Sequence, residues 1–191
     1  MKNLIISTVA GGIALFLWGW LAWVIPIHTS SILSITNEDS VITAMELTME
    51  KRGVYAFPGM PASADKAATD EWTQKYQEGP TGMIIYDPKG SDPMSPVQMI
   101  VGLIISMLSA FFASWFLSRS TAAASTYIAR VAYCGMLGIF VSVSVHLVNW
   151  NWMGFPPDYT VAWIIDTVVG WLVAGAVISA IIKLPKISGV Q

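Results

Sequence analysis

Residues 4–25 form a run of 22 residues without one charged side chain. At a rise of about 1.5 Å per residue, a helix of that length crosses the roughly 30 Å hydrocarbon core of a bilayer. Three more apolar blocks follow, 98–117, 127–148 and 160–182, each bounded by polar residues, Gly or Pro. Together they hold most of the apolar residues of a chain that is 54% apolar and 12% charged. A soluble domain has too little polar surface to cover such a composition, so burial must be against lipid and neighbouring helices. The expected fold is an all-α membrane protein, a four-transmembrane-helix bundle with a small extracytoplasmic insertion, α with a short β element, between helices one and two.

This divides the chain into the first transmembrane helix (1–26), the insertion (27–97), and helices two to four with a cytoplasmic C-terminus (98–191). Lys2 imitates the start of a signal peptide. The apolar run behind it is too long, however, and no small-residue cleavage pattern precedes His28, so an uncleaved anchor is expected. Orientation follows from Lys and Arg, because cationic loops stay cytoplasmic. Lys2, Arg119, Arg130, Lys183 and Lys186 fall on one side, with no acidic residue beside them. Residues 27–97 carry ten acidic against five basic residues. Both termini are therefore expected in the cytoplasm and 27–97 outside it, in a bacterial-type inner membrane. Trp23, Trp150, Trp152 and Tyr159 would then lie at the outer interface, where amphipathic rings prefer to sit.

Within the insertion, Thr36-Asn37-Glu38-Asp39 resembles a capping box. Val41, Ile42, Met45 and Met49 follow on one helical face, predicting a helix over 37–52 closed by Gly53. A second helix is expected from 64 to 78, stopped by Gly79-Pro80, with Trp72 and Tyr76 on its apolar side. Residues 54–57 and 83–86 are rich in β-formers and are expected to pair as a ribbon. About seventy residues without a disulfide rarely stabilise themselves by core burial alone, so the insertion is expected to lean on the membrane, the bundle or a partner.

Small residues recur every fourth position on the later helices: Gly102, Ser106, Ala110 and Ser114 on helix two; Cys134, Gly138 and Ser142 on helix three; Gly170 and Ala174 on helix four. Such stripes let helices approach closely where the hydrophobic effect gives no help. The helix-three stripe continues to His146, and the helix-four stripe begins at Asp166, which aims both into the bundle at levels roughly 6 Å apart.

An ionisable residue at membrane depth is costly unless satisfied, so the pair reads in one of three ways. As a polar lock, Asp166 accepts hydrogen bonds from His146, Asn149 or a tryptophan N–H and ties helix three to helix four. As a metal or haem centre, His28 joins His146 and Asp166, although two histidines 118 positions apart match no ligand-spacing motif. As a relay, Asp166 carries protons or cations, although no second carboxylate lies at depth. The sequence requires no cofactor and leaves haem or a metal ion open.

The stretch 150–157 is an aromatic, proline-closed loop between helices three and four, with Trp150, Trp152 and Phe155 offered for anchoring in headgroups or for docking the insertion, a quinone-like ring or a partner subunit. The five methionines of the insertion are too scattered for a copper site. Cys134 reads as a packing residue, and Gly11-Gly12 as a close helix contact. A net charge of −2 without a basic cluster argues against nucleic acid. Nucleophile-base pairs, phosphate-cradling glycine motifs, CxxC and HExxH are absent. Nothing identifies an enzyme. The expectation is a non-catalytic integral membrane subunit or scaffold of a larger complex, partnered by other membrane subunits or by itself, with a metal- or haem-binding redox protein and a transporter through Asp166 as the alternatives.

Overall fold

The computed structural model describes residues 1–120 and 126–182. Lys183 and Lys186, two cations of the orientation argument, lie outside the described residues. The elements run α1 (Lys2–Val24), α2 (Glu38–Thr48), β1 (Gly53–Phe57), α3 (Lys66–Glu78), β2 (Gly82–Tyr86), α4 (Pro96–Arg119), α5 (Tyr127–Val141), a π-turn (Ser142–His146), α6 (Leu147–Met153) and α7 (Pro157–Ile181). Two compact units result: Met1–Leu33 with the chain from Met94 onward, and Ser34–Pro93 between them.

The first unit is helical. Four of its helices are long and apolar enough to cross a membrane: α1, α4, the continuous rod Tyr127–Met153, and α7. Only 17–28% of the most apolar window of each is buried. The remainder is an apolar perimeter, which is stable in hydrocarbon and not in water. Ser95 caps α4 by accepting from the Gln98 amide, with Pro96 in the first turn, and Thr126 caps α5 by accepting from Ala129. The rod runs five residues past the expected end at 148, because nothing in Asn149 to Met153 breaks a helix. Gly154, left-handed at φ 71°, ends it, and Pro157 starts α7. The long aromatic loop expected over 150–157 is thereby reduced to Gly154, Phe155 and Pro156.

α7 packs on α5 and on α1, and α1 also packs on α4. The core is made of small and branched residues: Ala110, Ala113 and Leu117 against Ala174, Ile178 and Ile182, flanked by Leu15 and Trp171. A Cβ at Gly12 would stand 2.6 Å from the Cα of Met107, and one at Gly175 2.5 Å from the Cβ of Cys134. Backbone contact of this kind is what the stripes supply. Ala110, Ser114, Gly138, Ser142, Gly170 and Ala174 are buried, and Gly102 and Ser106 half-buried. Arg130 crosses to the end of α7, where Nε and Nη2 donate to the Ser179 carbonyl at 3.2 and 3.1 Å. A cation there meets carbonyls that have no helical partner of their own.

In the second unit, β1 and β2 pair antiparallel, from Gly53 opposite Tyr86 to Phe57 opposite Gly82. Gly82 has no Cβ because the Phe57 ring occupies that space, with its Cζ 2.5 Å from where the Cβ would be. Asp65 caps α3 by accepting from the Ala68 amide, and the Trp72 and Tyr76 rings meet at 5.2 Å on one side of that helix. The first helix differs from expectation. It ends at Thr48 rather than 52, since Met49 turns extended and the chain must enter β1 at Gly53. Asn37 occupies its N-cap without a side-chain bond, so the capping box does not form.

Candidate functional site

The polar centre of the helical unit is Asp166, and its partners come from α1 rather than from the third helix. Trp18 Nε1 donates to Asp166 Oδ1 at 2.7 Å and approaches its backbone carbonyl at 3.1 Å. His28 Nε2 lies 3.0 Å from Oδ2. The histidine is 1% exposed and the carboxylate side chain 15%. Pro26 prevents α1 from continuing. The turn that follows is held by Ser30 Oγ donating to the Pro26 carbonyl and by Ser31 donating to the His28 carbonyl through both its amide and its hydroxyl. This turn folds His28 back over the end of its own helix, where its ring stacks on Trp23 at 4.9 Å and tilts against Trp163 at 4.5 Å.

The expected bond between His146 and Asp166 is replaced by two separate ones. His146 Nε2 shares a hydrogen bond with Thr167 Oγ1 at 2.8 Å, one residue further round α7. The reason is the division of that helix into faces. Asp166 and Gly170, on one face, meet α1: a Cβ at Gly170 would touch Trp18 and Leu15. Thr167, Val168 and Trp171, on a different face, meet Gly138 of α5. Small-residue spacing found the face carrying Asp166 but not the helix it faces, so the lock ties helix one to helix four, not three to four.

The same geometry does not gather His28, His146 and Asp166 into one ligand set. Two of the three meet and the third turns to Thr167, and among the described residues no group of three His, Cys, Asp or Glu side chains converges as a metal ion requires. A bis-His haem site would have to pull His28 from between two indoles. The relay reading finds both carboxylate oxygens already bonded within the chain.

Two buried nitrogens here, His28 Nδ1 and Trp163 Nε1, have no partner among the described residues. The ring of Trp163 stands between those of His28 and His146, 6.0 Å from the latter. Trp150 and Trp152 are exposed, while Phe155 is half-buried and stacks on Tyr159 at 5.2 Å. Sequence reasoning did not single out Trp18. The available signal was an indole on a charge-free helix, whose N–H needs an acceptor when buried, and Asp166 is the carboxylate at comparable depth. Comparison of the chain with protein-family models, with curated proteins and with solved structures finds no match, so the site's geometry alone carries the functional argument.

Proposed function

We propose that the chain is a non-catalytic subunit or scaffold of a larger membrane assembly, which completes its inserted unit against another polypeptide. In this reading the four long helices span a bacterial-type inner membrane, both termini are cytoplasmic, and residues 34–93 stand outside. One observation carries the proposal. No residue from 34 to 93 is buried, although the unit has a capped helix and a registered strand pair. Leu47 is 81% exposed and Ile85 87%, with Val54 and Met60 also open. Each such side chain contributes about 1.5–3 kcal/mol when a partner covers it, and a stable interface covers about 800 Å² per side. Asp166 supports the same reading, since its bonds to His28 and Trp18 tie helix one to helix four.

Mass measurement in mild detergent or native nanodiscs tests this directly. The expected species is heavier than one 20.7 kDa chain, by a second copy or a stoichiometric partner. Leu47→Asp with Ile85→Asp should dissociate it without unfolding the helical unit. A folded monomer that carries no second polypeptide, and whose mass and stability the double substitution leaves unchanged, would overturn the proposal. Tag accessibility showing residues 34–93 on the same side as Arg119 would overturn the topology.

A further inference from the structure

A cavity of about 220 Å³, open on one side, lies where the third long helix turns into α7. Its walls are the Phe155, Tyr159 and Trp163 rings, and its polar lining is His146, Asn149 and Thr160. The aromatic walls are pre-set: Phe155 stacks on Tyr159 with planes 23° apart, and Tyr159 lies 6.0 Å from Trp163. Thr160 donates its hydroxyl to the Pro156 carbonyl, and His146 is bonded to Thr167. The π-turn Ser142–His146, with Leu147 N–H reaching back five residues to the Ser142 carbonyl, stands beside this cavity and sets His146 in it. Such turns inside α-helices recur at ligand sites.

These features define the occupant. Among the described residues no Lys, Arg, Asp or Glu lines the cavity, so the ligand is neutral. Cavities that enclose whole drug-sized molecules measure roughly 300–1,000 Å³, so this one admits a single ring whose substituents leave through the open side. Three aromatic walls favour a planar ring, and the Asn149 side-chain amide favours a carbonyl oxygen on it. We infer that the cavity is a binding site for the headgroup of a lipid-soluble quinone, a flat neutral ring with carbonyl acceptors, held by Asn149 and stacked by the Phe155, Tyr159 and Trp163 rings. The inference is one of binding and adds no electron transfer. It is independent of the subunit proposal.

The test uses the full chain in nanodiscs, labelled with 5-fluorotryptophan, and titrated with a short-tailed benzoquinone while fluorine resonances are followed. Trp163→Phe assigns the resonance. The expected result is a saturable shift at Trp163 and none at Trp72 of the inserted unit. Affinity should fall about tenfold in Asn149→Leu and by a similar factor in Phe155→Ala, both at half-buried positions where the fold is retained. An alkylbenzene of the same tail length should bind at least tenfold more weakly. No saturable shift at Trp163, equal shifts at all tryptophans, affinities unchanged in both variants, or equal binding of the hydrocarbon ring would each overturn the assignment.

Discussion

Removing the Asp166 carboxylate should cost stability through two named partners. In Asp166→Leu, the Trp18 N–H loses its side-chain acceptor at 2.7 Å and keeps only the backbone carbonyl at 3.1 Å, and His28 loses its partner at 3.0 Å, with the histidine 1% exposed. In a water-soluble core an orphaned group such as His28 would cost about 1–3 kcal/mol. In a bilayer the unfolded helices find other partners, and interhelical hydrogen bonds average about 0.6 kcal/mol with a maximum near 1.7. Two bonds therefore give a loss of about 1–3 kcal/mol for Asp166→Leu. Asp166→Asn keeps an oxygen for Trp18 and should lose less than about 1 kcal/mol. The assay is reversible unfolding in mixed micelles, followed by circular dichroism, for the wild type, His28→Leu, Asp166→Leu and the double variant, with a second cycle built on Trp18→Phe. Coupling of about 0.6–1.7 kcal/mol is expected in each cycle. If both cycles add within about 0.5 kcal/mol, the carboxylate does not hold helix one to helix four, and the account of the site fails.

Other outcomes follow from single positions. Gly12→Ala places a methyl 2.6 Å from Met107 backbone and should destabilise by about 1–3 kcal/mol, whereas Gly19→Ala on the same helix meets nothing within 4 Å and should be neutral or stabilise by up to about 1 kcal/mol, as paired unfolding curves will show. Arg130→Met removes the donor pair on the Ser179 carbonyl and should cost about 1–2 kcal/mol in the same assay, with Arg130→Lys intermediate. In the inserted unit, the Ser63 hydroxyl and the Ala68 amide donate to Asp65 and hold its carboxyl below the ordinary aspartate value of 3.8. The cap is therefore complete above the unfolded-state pKa and is lost as pH falls through the lower folded value. Hydrogen exchange at the Ala68 amide, corrected for its intrinsic rate, should rise across that acid window and in Asp65→Ala, but not in Asp65→Asn.

The long helices were legible because an uninterrupted apolar block has one stable conformation in lipid, and periodicity also found the strand pair and α3. Their ends were less legible. The third helix continues through Asn149 to Met153 because polar and aromatic residues extend a helix as readily as they end it, and only Gly154 forces the stop. The site was half legible. Four-residue spacing picked out the buried face of Asp166, a property of one helix, whereas the identity of the facing helix is a property of the bundle. His28 was noticed for its chemistry but assigned to a metal cluster. What brings it to Asp166 is a proline-terminated turn stitched by Ser30 and Ser31, and no periodic pattern encodes such a turn.

The π-turn before His146 also makes that helix a two-piece shaft. An α-helix advances about 100° per residue, so deleting Val143 to restore regular winding would rotate everything beyond it by about that angle and draw it back by about 1.5 Å. Asn149 and His146 would swing away from the cavity while Gly138 kept its seat on α7. A chain one residue shorter at this point would keep its bundle and lose its ring-shaped chamber, so the extra residue uncouples how the helix packs from what it presents.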